Sequence, residues 1–208
     1  MRKSAWILSG IFSVTVGFSQ TAFAENERPL KFVLSGGLTV GGEDILTVEY
    51  TDGSSSDLTS GGLFEFGAGL LWQSQQLPLA AQLMLNYHFD SITADNGDAD
   101  FSRVPIEATL FYTGVPQWRF GGGARWVQNP TASIDIDQFS TVDIEFKDTV
   151  GAIFEVGYHV APPLWVSLRG VFEDYQAERF TGPLGAVPAD PADSIHGNHV
   201  GLFMSLVF

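Results

Sequence analysis

The 208-residue chain has no cysteine and carries a net charge of -14. Without thiols it has neither disulfides nor thiolate chemistry, so stability must come from backbone hydrogen bonding and burial. Acidity of this degree repels nucleic acid and bare anionic lipid, which excludes both as partners.

The first residues combine Arg2 and Lys3, an apolar stretch from Ala5 to Phe18, and Ala22-Phe23-Ala24 ahead of Glu25-Asn26-Glu27. A basic start, an apolar middle and an A-x-A site predict a secretory signal peptide over residues 1–24, cleaved after Ala24. The apolar run falls short of the ~20 residues a membrane-spanning helix needs, and Ser9, Gly10, Ser13 and Gly17 interrupt it. Cleavage removes two cations, Arg2 and Lys3, and takes the charge from -14 to -16. The mature chain, residues 25–208, is expected to be one domain. No later stretch is a helical span, so any crossing of a membrane must be made by strands.

Residues 25–208 read as eight segments of period-two alternation. Segment one, Leu30 to Gly41, places Phe32, Leu34, Leu38 and Val40 opposite Lys31, Ser35 and Thr39. Segment two, Gly62 to Trp72, sets Phe64, Phe66, Ala68, Leu70 and Trp72 against Glu65. Segment three, Leu79 to Ile92, sets Leu83, Leu85, Tyr87 and Phe89 against Gln82, Asn86, His88 and Asp90. Segment four, Phe101 to Thr113, opposes Val104, Ile106, Ala108, Leu110 and Tyr112 to Arg103, Glu107 and Thr109. Segment five, Trp118 to Gln128, opposes Trp118, Phe120, Ala124 and Trp126 to Arg119 and Arg125. Segment six, Asp148 to Val160, puts Glu155 and His159 opposite Val150, Phe154, Val156 and Tyr158. Segment seven, Leu164 to Tyr175, puts Ser167, Arg169 and Glu173 opposite Leu164, Val166, Leu168 and Phe172. Segment eight, His199 to Phe208, aligns Val200, Leu202, Met204, Leu206 and Phe208.

The connectors alternate in length. Gln73 to Pro78, Gly114 to Gln117 and Ala161 to Pro163 are short and contain Pro, which suits turns. Residues 42–61, 93–100, 129–147 and 177–195 are long, polar and acidic. This is the pattern of short periplasmic turns and long extracellular loops. Because hydrocarbon offers no water to an open sheet edge, segment eight is expected to pair with segment one and close a barrel. A soluble lipocalin-like barrel would reverse the faces, burying the apolar one.

The run Gly201-Leu202-Phe203-Met204-Ser205-Leu206-Val207-Phe208, with an aromatic last residue, resembles the signal by which outer-membrane proteins are recognised for insertion. Together with the eight strands it resembles the small barrel superfamily of the OmpA transmembrane domain, OmpX and OmpW. That resemblance covers architecture alone. It implies an all-β, eight-stranded antiparallel transmembrane barrel in the bacterial outer membrane. The partners it implies are membrane lipid, lipopolysaccharide and the barrel-assembly machinery.

Glu65, Glu107, Arg119, Arg125, Glu155, Arg169 and Glu173 are predicted to form a polar network inside the barrel. A hairpin centred on Pro162 puts Glu155 opposite Arg169, and one near Pro116 puts Glu107 opposite or diagonal to Arg125. An eight-stranded interior is just wide enough for side chains to fill, and buried charges must be paired. The expected role is therefore structural, adhesive or envelope-stabilising, with a narrow channel for small polar solutes as the alternative. A lipid-modifying enzyme is a second alternative, since Asp193-Ser194-Ile195-His196 and His199 offer the residue types of a hydrolase. No catalytic residue is assigned, and neither a cofactor nor a metal centre is expected. Divalent cations are weighed as partners of the acidic loops, where Asp95-Asn96-Gly97-Asp98-Ala99-Asp100 is a weak calcium-loop pattern without its distal Glu. The plainer reading is a solvated, self-repelling surface. Gly36-Gly37 and Gly121-Gly122-Gly123 read as positions of bend or close packing rather than phosphate loops.

Overall fold

A computed structural model of the chain describes residues 28–49, 55–94, 97–136, 140–190 and 194–208. The signal peptide expected over residues 1–24 lies outside them, as do Asp95, Asn96 and Asp193 of the motifs above. The described residues form strands β1 (Leu30–Gly41), β2 (Asp44–Glu49), β3 (Ser55–Thr59), β4 (Leu63–Gln73), β5 (Leu79–Ala94), β6 (Gly97–Val115) and β7 (Trp118–Ile136). They continue with β8 (Ser140–Phe146), β9 (Thr149–Ala161), β10 (Leu164–Phe172), β11 (Asp174–Gly182), β12 (Gly185–Pro188), β13 (Ser194–His196) and β14 (His199–Val207).

Eight of these close an antiparallel barrel in the order β1-β4-β5-β6-β7-β9-β10-β14 and back to β1. The closing seam runs from Val33 opposite Val207 to Gly41 opposite His199, and Phe32 and Phe208 exchange backbone hydrogen bonds beyond it. Closure leaves no edge in the wall, which is the condition for a sheet in hydrocarbon. The expected fold class is the observed one.

The alternation decides which face goes where. Leu202, Met204 and Val150 point outward with 60, 61 and 71% of their surface exposed, whereas Arg125 and His88 point inward at 0%. A soluble barrel has the opposite distribution. The outward belt ends in an aromatic rim near the short turns, where Trp72, Tyr112, Trp118, Tyr158 and Phe208 lie exposed. Trp118 and Tyr158 meet edge to face with ring centres 5.0 Å apart, and the Tyr158 hydroxyl reaches Gln117 at 3.3 Å. Such amphipathic rings suit a membrane interface.

The wall departs from the sequence reading above the belt. Strands β6 and β7 have 19 residues each, against the ~9–11 that a tilted transmembrane strand requires. The segment ending at Gln128 in fact continues to Ile136. Its alternation breaks because Asn129, with φ of 48°, adds one residue to β7: Gln128 lies opposite Val104 but Thr131 lies opposite Ser102. This bulge reverses the inward parity, from Arg125 and Val127 to Ala132. The long connectors are largely strand as well. β8 pairs with β7 and β11, β12 and β13 pair with β11, and β2 pairs with β3 as a separate hairpin. Segment seven divides at Glu173 into β10 and β11.

Two apolar layers fill the two ends of the interior. Val33, Leu71, Ala80, Met84, Phe111 and Val207, with Trp165 against them, occupy the short-turn end. Leu58, Phe101, Val127, Ala132, Phe146 and Tyr175 form the other within the extension. Small residues make room for large ones: a Cβ on Gly37 would lie 2.5 Å from the Phe203 ring, and one on Gly157 would lie 2.7 Å from Arg119 Nε.

If the even-numbered face of β14 meets hydrocarbon, Leu202→Arg will destabilise the folded barrel by about 2–4 kcal/mol in lipid vesicles. Reversible denaturant unfolding measures this, and a cost near zero would mean that this face does not meet lipid.

Candidate functional site

Between the two apolar layers lies a layer of buried ions. Inward parity places Glu65 on β4, His88 on β5, Arg103 and Glu107 on β6, Arg119 and Arg125 on β7, Glu155 on β9, Arg169 on β10 and His199 on β14. Glu173 sits at the β10–β11 junction. Each is at most 4% exposed.

Two arginines organise the layer. Arg125 Nη1 donates to Glu65 Oε2 at 2.7 Å and to Glu107 Oε1 at 2.9 Å, and its Nε lies 3.1 Å from Glu173 Oε2. Arg169 Nη1 donates to the other oxygens of the same two carboxylates, Glu65 Oε1 and Glu107 Oε2, both at 3.0 Å. Glu65, Arg125, Glu107 and Arg169 thus form a closed ring of alternating charge across the lumen. Arg169 also donates through Nη2 to Glu155 Oε2 at 3.0 Å, and Glu155 Oε1 accepts from Arg119 Nη2 at 2.7 Å. The Tyr175 hydroxyl donates to Glu173 Oε1 at 2.5 Å, joining the layer to the upper apolar core.

Aromatic faces support the guanidiniums. Arg169 lies 4.1 Å from the Phe203 ring centre, and Arg119 lies 4.5 and 4.8 Å from those of Phe111 and Trp165. Guanidinium planes suit such a setting because they accept several carboxylates at once and are weakly hydrated.

All seven residues expected inside are therefore found together. The pairs Glu155–Arg169 and Glu107–Arg125 lie opposite one another in their hairpins. The sequence reading did not include Arg103, His88 or His199 in the network, although each has inward parity. Thr39 Oγ1 and Arg103 Nη2 both meet His88 Nε2, at 2.9 and 3.3 Å.

Among the described hydrolase-type residues, His199 stands apart from Ser194 and His196. His199 is buried in the barrel, whereas His196 is exposed on β13 with its Nδ1 2.5 Å from Asp174 Oδ1. Ser194 pairs with Gln176 in the ladder, two residues along the strand from His196. Four residues of the acidic loop pattern lie within the described residues. Gly97, Asp98, Ala99 and Asp100 belong to β6, with Ala99 in the upper core and the two aspartates turned outward. Asp98 faces Asp135 across the ladder. Burial, with Asp143 close by, raises the Asp100 pKa.

No protein-family model matches the chain, and no curated protein matches it. Among solved structures it is similar to the crystal structure of Neisserial surface protein A (NspA), at 13% identity and a TM-score of 0.48. That alignment covers 87% of this chain and 98% of the other. It is also similar to the solid-state NMR structure of outer membrane protein AlkL in DMPC lipid bilayers, at 15% identity and a TM-score of 0.43, covering 86% and 90%.

Two outcomes follow from this geometry. Arg125→Met leaves three buried carboxylates short of a partner, so it will cost about 3–5 kcal/mol in denaturant unfolding; a loss below about 1 kcal/mol would mean that the ring contributes little. At the surface, the hydrogen bond that His196 Nδ1 donates to Asp174, followed by the charge of Glu43, raises His196 above its ordinary pKa of 6.5. The stabilisation from that pair is full below 6.5 and is lost as pH rises through the higher folded value. An NMR titration will show the His196 midpoint falling toward 6.5 in Asp174→Asn, and an unmoved midpoint would contradict the assignment.

Proposed function

We propose that this protein is an outer-membrane barrel with a sealed interior and a structural, adhesive or envelope-stabilising role, performed by its outer surfaces rather than by passage through its lumen. The observation that carries this reading is the filling of the lumen. The ring of Glu65, Arg125, Glu107 and Arg169 spans it, and the Phe111–Met84 and Phe101–Phe146 layers lie to either side. A pore selective for ions needs a continuous hydrated path. Here the charged groups are spent on one another.

The outward apolar belt and its aromatic rim support placement in lipid. The surroundings this implies are outer-membrane lipid and lipopolysaccharide, with the barrel-assembly machinery engaging β14 during insertion. Beyond the belt, the extension of β6, β7, β8 and β11 has a core of its own. That core makes it a rigid platform for contacts outside the cell.

Planar-bilayer recording tests the proposal. The purified barrel is expected to give no steady single-channel conductance, and a reproducible open level at neutral pH would replace the sealed barrel with the narrow channel.

A further inference from the structure

Three lone-pair-bearing atoms converge on the extracellular side of the ionic ring. Glu65, His88 and His199 are all buried, and a ligand atom from each lies within 4.8 Å of the others. The two imidazoles meet edge to face with ring centres 5.1 Å apart.

At His199 a hydrogen bond fixes which nitrogen is free. His199 Nδ1 lies 2.7 Å from the Gly197 carbonyl oxygen, to which it donates. The ring proton therefore sits on Nδ1, and Nε2 keeps its lone pair. That Nε2 is buried and has no hydrogen-bond partner. At His88, Arg125 Nη2 is the nearer guanidinium, 3.1 Å from Nδ1, against 3.3 Å from Arg103 Nη2 to Nε2. Thr39 Oγ1 meets the same Nε2 at 2.9 Å. His88 Nδ1 also lies 3.2 Å from Glu65 Oε2. Arg125, 2.7 Å from Glu65 Oε2 and 3.1 Å from His88 Nδ1, is the cation beside that pair.

We propose that Glu65, His88 and His199 form a binding site for a divalent transition-metal ion of the zinc type. Two imidazoles and one carboxylate are a donor set that zinc favours, with a position left open for water. The His199 ring is oriented through its other nitrogen by Gly197, as metal-bound histidines are, and Thr39 holds the His88 ring at Nε2. This revises the sequence reading, in which no metal centre was expected.

The charge of the interior admits the ion. Among the described residues, the buried ionised groups are the carboxylates of Glu65, Asp90, Glu107, Glu155 and Glu173 and the guanidiniums of Arg103, Arg119, Arg125 and Arg169. Five against four leaves the interior at -1 with both imidazoles neutral. Arg125 would give up only its contact with His88, because Nη1 and Nε still hold Glu65, Glu107 and Glu173. A cleft of about 380 Å³, lined by Thr149, Glu173, Asp174, His196 and Asn198, lies beside the site. Glu173 borders that cleft, and its Oε1 lies 3.9 Å from His199 Nδ1.

Zinc titrated calorimetrically into the full-length barrel, folded in detergent, is expected to bind as one ion per chain. His199→Ala and Glu65→Gln should weaken binding by more than about tenfold, and His196→Ala should leave it unchanged. Loss of binding in His196→Ala but not in His199→Ala would assign the zinc to the outer surface and overturn the proposal. Because Glu65 also belongs to the ionic ring, gel mobility without boiling verifies that each variant is folded. A second measurement needs no variant: one equivalent of zinc must shift the wild-type imidazole NMR signals of His88 and His199 but not that of His159. If the folded wild type binds no zinc, or those two signals stay in place, the site does not exist.

Discussion

The structure depends on a mutual neutralisation: Arg125 and Arg169 grip Glu65 and Glu107 from opposite sides, so that four charges from four different strands close one ring. Ions of this kind are costly to remove from water, and the cost is offset only when every member is paired in good geometry. Once the outward face is committed to an apolar belt, charged side chains on the wall strands have only the lumen to occupy. The ring meets that constraint and also fixes the distance across the barrel, because its bonds join β4, β6, β7 and β10 rather than only adjacent strands. Glu155 and Glu173 extend it toward Arg119 and Tyr175, the points at which polar and apolar layers meet.

The sealing proposed above follows from the same arrangement. An ion layer wetted from either end would have its pairing weakened by solvent, since attraction between charges falls as the local dielectric rises. The apolar layers around Phe111 and Phe101 protect it on both sides. The upper layer exists because β6 and β7 run on past the belt, and it is joined by Leu58 from β3 and Tyr175 from β11. The extension beyond the belt is therefore the same element that closes the barrel at that end.

Much of this was legible in the sequence because period-two alternation assigns parity residue by residue. It placed Glu65, Glu107, Arg119, Arg125, Glu155, Arg169 and Glu173 inside and set Glu155 opposite Arg169 in the Pro162 hairpin, while leaving Glu107 opposite or diagonal to Arg125. It could not give the bonds across the lumen, such as Arg125 to Glu65 or Arg169 to Glu107, because alternation specifies a face and not a partner on a distant strand. Parity also marked His88 and Arg103 as inward, so attention to neutral and unpaired inward groups would have added them. The extension was obscured by Asn129. One inserted residue reversed the alternation, and Pro130 beside it gave the appearance of a turn in what is a bulged strand. The Gly-, Ser- and Asp-rich connectors concealed short strands such as β8 and β12 in the same way, their composition matching loop and edge alike.

The central claim is that the ring couples distant strands, and a double-mutant cycle between Glu65 and Arg169 tests it most directly. With Glu65→Gln, Arg169→Met and the double variant unfolded reversibly in lipid vesicles, the account predicts a favourable coupling of about 1–3 kcal/mol. Additive losses, with a coupling near zero, would contradict it.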